Sequence, residues 1–438
     1  MTRRFRRSDY GRILIVGTGR AGVAAAEELR RQGFPGDIAM LGAEKEGPYD
    51  RPSCSKGILT GHKRPQDTRM PFHDEDLTWY LGRTAVDLDA DAHRVETDTG
   101  ESFAYDGLVI ATGSSPSLPK WAADPGVHLL HNLEHAWALR RALRNAERVI
   151  IVGGGITGSE VASAVRSMAR DCVVIDSKPQ VMARALGEEV GNHVTDVMRG
   201  EGVEFRLGHR VAAANRFRQG WVVQLDDGEN LIGDVVVATT GGRPDTRWLE
   251  NTDLDLSNGV ACDESLRVIG LEDVVAAGAV ASWPNLRYGL QPRKAEHWIS
   301  SLEQGRGAAR TLLAEDGDAG PVTVIPRFWT EQWGLRIQVC GELDPEGEVA
   351  ISEMKRHRRD TARAGVVVGY HRDDRLVGLV SVNAAHAFTS LARAMIATPL
   401  PPMQAVPLPL RTETPHRTEV AERMEIAEPP RRRLASVA

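Results

Sequence analysis

Short, almost wholly apolar runs that end in glycine recur along this chain and set its architecture. Arg12–Val16 is the first, and such a run closed by a glycine turn predicts a parallel strand buried on both faces. Residues 21–32, rich in Ala, Glu, Leu and Arg, predict a helix, and residues 37–41 supply the next strand. The opening is therefore a βαβ unit. The same order returns with a strand at Arg148–Val152, a helix over about residues 158–168 and a strand over 172–176. Residues 108–113, 234–241 and 273–278 read as further strands reaching turns, and a helix is expected over about 294–313. Beyond Val322 the pattern changes to the alternation of half-buried strands, over 328–339, 365–370 and 375–382, then one helix near 387–396. Two Rossmann-like dinucleotide-binding domains plus a smaller α+β C-terminal domain, in an overall α/β fold, is the expected arrangement. Residues 403–438, rich in Pro, Arg and Glu, read as a flexible tail, with room for a short helix near 419–427.

The two unit starts carry the first chemistry. Gly17-x-Gly19-x-x-Gly22, with Arg20 and Ala21 inside the turn, lets backbone approach a pyrophosphate at the positive N-terminus of a helix. Glu44, at the end of the second strand, can accept hydrogen bonds from ribose hydroxyls. Gly153-x-Gly155-x-x-Gly158 repeats the motif, and Asp176 stands where a ribose 2′-hydroxyl would be held. Its charge repels a 2′-phosphate, which favours NADH over NADPH; nearby Lys178 could soften that preference.

Composition narrows the class. At 438 residues the chain is too long for one core, and a net charge of −6 gives no support to nucleic-acid binding. Cys54, Cys172, Cys262 and Cys340 are scattered, without Cys-x-x-Cys or zinc-ligand spacing, so a reducing cytoplasm is the expected compartment. The basic start lacks the apolar stretch of a signal peptide, and no run approaches the roughly 18 apolar residues of a membrane span.

Two dinucleotide motifs with Ala111-Thr112-Gly113 between them resemble the two-dinucleotide flavoprotein reductases of the glutathione-reductase fold. Within that family Pro48-Tyr-Asp-Arg-Pro-Ser-Cys-Ser-Lys56, Glu296-His297-Trp298 and Phe328-Trp-Thr-Glu-Gln-Trp-Gly334 are similar to the ferredoxin reductases that serve oxygenases and cytochromes P450. The resemblance covers roughly residues 10–400 and implies FAD and NAD as cofactors. It implies an FAD domain over 8–119 and 246–324, an NAD domain over 120–245 and a C-terminal domain over 325–402. It further implies that hydride passes from NADH to FAD, that single electrons then go to a ferredoxin-like iron–sulfur protein, and that the protein is a monomer or homodimer. Residue by residue, it places Arg51 and Lys56 against the flavin and pairs Glu160 with that lysine at the nicotinamide pocket. Glu296, His297 and Trp298 line the flavin's other edge, and Trp329 lies near the nicotinamide. Gly241, Gly278 and Ala279 complete the implied cofactor set.

Ala279 departs from the family, whose carboxylate there holds the flavin's ribityl chain. Loss of one charge-assisted hydrogen bond costs on the order of 1.5–3 kcal/mol, so the expectation is weaker FAD binding or positioning by another group. Cys54 opens a rival reading, an NADH-dependent reductase of peroxides or disulfides with one redox cysteine. A nucleotide-sensing flavoprotein and a specialised biosynthetic oxidoreductase stand as further alternatives on the same scaffold. His128, His131 and His135 read as surface or packing residues, and Arg287, Arg293, Arg306 and Arg310 as a basic docking face for an acidic ferredoxin. The Arg431–433 cluster reads as solvated.

Overall fold

The computed structural model describes residues 10–70, 76–293, 297–315, 319–343, 348–354, 365–372 and 375–397. Glu296, the 403–438 tail and its 419–427 segment lie outside them. Arg12–Val16 pairs in parallel with Asp37–Gly42 on one side and Gly107–Ile110 on the other. Leu77–Leu81 and Val274–Ala276 extend this five-stranded sheet at its edges, so its last strand arrives from far along the chain. Ile13, Leu14 and Ile15 are fully buried, which is why the strand is apolar without alternation. Each such side chain contributes about 1.5–3 kcal/mol on burial. Helices Arg20–Arg31 and Trp298–Leu312 pack on each other and on this sheet.

A second parallel sheet runs in the order Glu204–Leu207, Asp171–Asp176, Arg148–Val152, Val235–Ala238, His128–Leu129. Helix Leu133–Leu143 precedes Arg148–Val152, Ile156–Ser167 follows it, and Ala183–Gly200 follows Asp171–Asp176. Two antiparallel crossing strands, Ser114–Pro116 and Gly242–Pro244, tie the two units together. Smaller antiparallel sheets over Ala85–Ala104 and Val211–Gly233 decorate each unit.

The C-terminal part is a five-stranded antiparallel sheet in the order Arg327–Gln332, Leu335–Gly341, Arg375–Val382, Gly365–Arg372, Glu348–Met354, followed by helix Ala385–Ala397. The single alternating run expected over 328–339 is instead a hairpin, turned at Trp333 and Gly334, both with positive φ. One continuous core joins Val149, Ile151, Val161 and Val165 of the second unit to Leu335, Ile337 and Val380 of this sheet. That shared core seats the first strand of the hairpin against the helix that carries Glu160. The helix expected from 294 begins at Trp298, with His297 as its extended N-cap. Among the described residues no helix is long and apolar enough to cross a membrane.

Candidate active site

The two glycine turns have the same construction. Gly17 has φ +116° and Gly153 φ +109°, and a Cβ at either would stand 2.1 Å or 2.3 Å from a backbone carbonyl oxygen of the adjoining strand's end. Their N–H groups donate to the carbonyls of Leu41 and Ile175 at 2.7 and 2.8 Å. Gly22 and Gly158 let each helix approach its own turn, because a Cβ would lie 1.9 or 1.8 Å from the carbonyl oxygen of Gly17 or Gly153. Around Gly19 and Gly155 there is open space, the feature a pyrophosphate needs.

The surroundings differ. The first turn opens into a cavity of about 1050 Å³. Gly17, Gly19, Arg20 and Ala21 line it, together with Glu44, Arg51 and Lys56. Ala111, Thr112 and Gly113 contribute from one strand end, Gly278 and Ala279 from another, and His297, Trp298 and Trp329 complete the wall. Gly22 sits behind this lining. Gly153, Gly155, Gly158, Asp176 and Gly241 also lie outside it; the second unit reaches the cavity through Ile156, Thr157 and Glu160 of its helix. Gly241, with φ +89°, accepts a hydrogen bond on its carbonyl from the Ser117 N–H at 2.8 Å and so belongs to the crossing strands.

Charge inside the cavity is arranged in two groups. Glu44 accepts from Arg51 Nη2 at 2.5 Å and from the Tyr49 hydroxyl at 2.6 Å. Arg51 Nη1 donates to the carbonyl of His131 at 2.5 Å. His131 is thus part of the cavity wall, which corrects its reading as a surface or packing residue. The chain between the crossing strand and the helix at 133 passes the flavin-loop arginine, a placement without any local sequence signal. Burial lowers the pKa of His131 and of His297 to about 4, so both are neutral at physiological pH. His297 stacks on Phe328 with ring centroids 4.5 Å apart.

The second group centres on Glu160, which is 7% exposed. Lys56 Nζ lies 2.5 Å from its Oε1. Thr330 Oγ1 donates to the same oxygen at 2.6 Å, and Ser55 Oγ donates to Oε2. The lysine–glutamate pair expected from the sequence is brought together; Ser55 and Thr330 were not anticipated, since hydroxyls 275 residues apart in chain order carry no spacing signal. Trp329 is 54% exposed at the cavity rim.

The cavity fits a flavin dinucleotide. It lies at the upper end of the roughly 300–1,000 Å³ range of small-molecule sites. Arg20 Nε is buried without a hydrogen-bond partner among the described residues, and burial lowers the pKa of this guanidinium, as expected of a cation built for an anion. Its guanidinium carbon lies 5.8 Å from the Trp298 ring centre.

Asp176 is fixed by backbone: Gly154 N–H donates to Oδ2 at 2.6 Å and Lys178 N–H to Oδ1 at 2.8 Å. Cys54 packs with Tyr49, Ile58, Leu133 and Ala136, and burial pushes its thiol up to about 12. Of the arginines expected to form a basic docking face, Arg306 and Arg310 are exposed, with side chains 45% and 52% accessible, and each faces an acidic residue of the first helix. Arg310 pairs with Glu28 at 3.1 Å, Arg306 approaches Glu27 at 4.0 Å, and Arg287 donates to the Met395 carbonyl.

Residues 11–305 match the family described as Pyridine nucleotide-disulphide oxidoreductase, and residues 327–406 match Reductase C-terminal. The chain is 31% identical over 397 residues to the chlorobenzene dioxygenase ferredoxin reductase component of Cupriavidus sp. (strain PS12), covering 88% of this chain and 92% of that one. It is 32% identical over 401 residues to the biphenyl dioxygenase system ferredoxin–NAD(+) reductase component of Paraburkholderia xenovorans (strain LB400), covering 88% and 93%. The solved covalent putidaredoxin reductase–putidaredoxin complex shares the fold with a TM-score of 0.80 at 25% identity, covering 88% of this chain and 93% of that one. Two glycine turns, one cavity sized for a dinucleotide and matches along most of the chain agree: this protein belongs to the pyridine nucleotide-disulphide oxidoreductase family and is an FAD-dependent oxidoreductase.

Proposed function

We propose that this chain accepts a hydride from NADH and passes electrons singly to a ferredoxin-like iron–sulfur protein. The observation that carries the reading is the Lys56–Glu160 pair, where a loop of the first unit and a helix of the second meet at one cavity wall. FAD, when bound, supplies the exchange between two-electron hydride chemistry and one-electron transfer. Gly17, Gly19, Arg20, Ala21 and Gly22 would hold its pyrophosphate end. Glu44, Arg51, Ala111, Thr112, Gly113, Gly278, Ala279, His297 and Trp298 would hold the rest along the wall. Lys56 puts a fixed cation where negative charge develops on reduction, and its partner Glu160 keeps it there without reorganisation. Trp329 offers the nicotinamide an aromatic face at the rim, and neutral His297 adds no competing charge.

Asp176, presented on rigid backbone beside the second turn, favours NADH by repelling a 2′-phosphate. The acceptor follows from the relatives named as ferredoxin reductase components and from the cysteines. All four are buried and free, and the Cys54 thiol is held protonated, so neither a disulfide relay nor a thiolate is at hand. NADH oxidation by the purified protein tests this. Turnover with a [2Fe–2S] ferredoxin should exceed that with disulfides or peroxide by at least about tenfold, a barrier difference of about 1.4 kcal/mol. Disulfide or peroxide turnover with no response to any ferredoxin would replace the proposal with the single-cysteine reading.

A further inference from the structure

Glu160 does not end its contacts at the cavity wall. Behind it runs a line of buried polar groups in which every donor points toward the carboxylate. Trp333 Nε1 donates to Ser159 Oγ at 3.2 Å, and Ser159 Oγ donates to Gln332 Oε1 at 2.5 Å. Gln332 Nε2 donates to Thr330 Oγ1 at 3.2 Å, and Thr330 Oγ1 donates to Glu160 Oε1 at 2.6 Å. Ser159, Thr330, Gln332 and Trp333 are all buried, Thr330 at 1% exposure. Ser159 belongs to the same helix as Glu160, whereas the other three come from the first hairpin of the C-terminal sheet.

We infer that Thr330 is a positioning residue for the hydride site, acting through Glu160 on Lys56, and that the C-terminal hairpin thereby sets the electrostatics of a cavity formed mainly by the two nucleotide units. The inference rests on the proposed function of the Lys56–Glu160 pair. Its physical basis is the sharing of one oxygen. Glu160 Oε1 takes both the Lys56 ammonium and the Thr330 hydroxyl, while Oε2 takes Ser55. With water excluded, each donor limits how far the carboxylate can turn, and the donors stacked behind Thr330 polarise its hydroxyl toward the charge. Removing that hydroxyl leaves the oxygen that Lys56 shares short of one charge-assisted bond, so the carboxylate can turn and the ammonium, which also donates to the Pro52 carbonyl at 3.4 Å, shifts with it. Lys56 is 31% exposed on its side chain, so it has room to swing away from the position it holds at the wall. The second glycine turn and Asp176, which would bind the nucleotide's far end, stand apart from this line, so binding and transfer should separate.

The test compares wild type, Thr330→Val and Thr330→Ser, each purified with bound FAD, by rapid mixing with NADH under anaerobic conditions. Flavin content and melting temperature check the fold. The limiting rate of flavin bleaching in Thr330→Val should fall about tenfold or more, the effect of losing one hydrogen bond to a charge, with the half-saturating NADH concentration unchanged. Thr330→Ser, which keeps the hydroxyl, should recover most of that rate. Ser55→Ala, which strips the other hydroxyl from the carboxylate, serves if Thr330→Val does not fold and should also slow the limiting rate. A valine variant that bleaches at the wild-type rate overturns the role. So does one whose rate and half-saturation worsen together, or a serine variant no better than valine. Wild-type protein that NADH does not bleach removes the proposed function as well, and the two failures are thereby told apart.

Discussion

The two glycine turns are near copies in backbone geometry, yet one lines a cavity of about 1050 Å³ and the other lies outside that lining. Both have a positive-φ first glycine and an empty space at the second, and both press the third glycine against the turn carbonyl. What differs is the company. The first turn continues into Arg20, whose Nε is buried and lacks a hydrogen-bond partner among the described residues, and into a cavity of about 1050 Å³ walled by at least five separate segments. The second continues into Ile156 and is flanked by Asp176, whose two oxygens are taken by backbone N–H groups. The same motif can therefore serve a cofactor that stays and one that exchanges. The difference lies in what the rest of the fold wraps around it.

The strongest way to break this comparison is to block each turn in turn. A Cβ at position 22 or 158 would sit under 2 Å from a carbonyl oxygen, so Gly22→Val and Gly158→Val each deform one turn. Gly22→Val is expected to yield protein with at least about a hundredfold weaker FAD affinity, read by flavin fluorescence, since several backbone contacts fail together. Gly158→Val should keep its flavin and lose NADH reduction. Identical phenotypes would erase the division of labour. A smaller effect is expected at Asp176. Replacing it with serine should narrow the NADH over NADPH ratio of kcat/KM by about tenfold, read in steady state, because one fixed repulsive charge is gone.

Much of this arrangement is legible in the sequence, and the reasons are physical. Strands such as Arg12–Val16 and Arg148–Val152 are buried on both faces, so their apolar runs stand out and their bounds are readable. The glycine motifs are readable because the backbone conformation leaves little choice of residue. Lys56 and Glu160 came from resemblance, and the fold joins them. The helix Ala183–Gly200 escaped because Gly187, at φ +75°, interrupts its periodicity. The hairpin over Arg327–Gly341 read as one strand because Trp333, a residue that rarely takes positive φ, occupies its turn. Ser55, Thr330 and His131 were invisible for another reason: contacts between distant segments through hydroxyls and a backbone carbonyl leave no spacing in the chain.

Two further outcomes sharpen the contrast at lower amplitude. His131 and His297 line the enclosed site and are held near pKa 4, against 6.5 for an ordinary histidine. Below pH 6.5 the unfolded chain takes up protons that the folded one refuses until about 4, so their contribution to stability is intact above 6.5 and lost as pH falls through that window. Urea unfolding across it should show a loss on the order of 3 kcal/mol per histidine, and His297→Phe should remove its share. A flat profile would mean that these rings are reached by water. The smallest effect is expected at Cys54. Because its thiol is pushed up to about 12, Cys54→Ser should leave ferredoxin-linked turnover within about twofold of wild type, in the range of substitutions that touch no reacting group.

The central claim is that one cavity couples a nicotinamide to a flavin and delivers single electrons outward. Anaerobic addition of one equivalent of NADH to the flavin-loaded protein, followed by oxidised [2Fe–2S] ferredoxin, tests it most directly. The expected result is loss of the flavin absorbance with NADH, then its return as two ferredoxins are reduced for each NADH consumed, with NADPH acting far more slowly. Protein that holds no flavin, or that stays reduced in the presence of ferredoxin, would contradict the account.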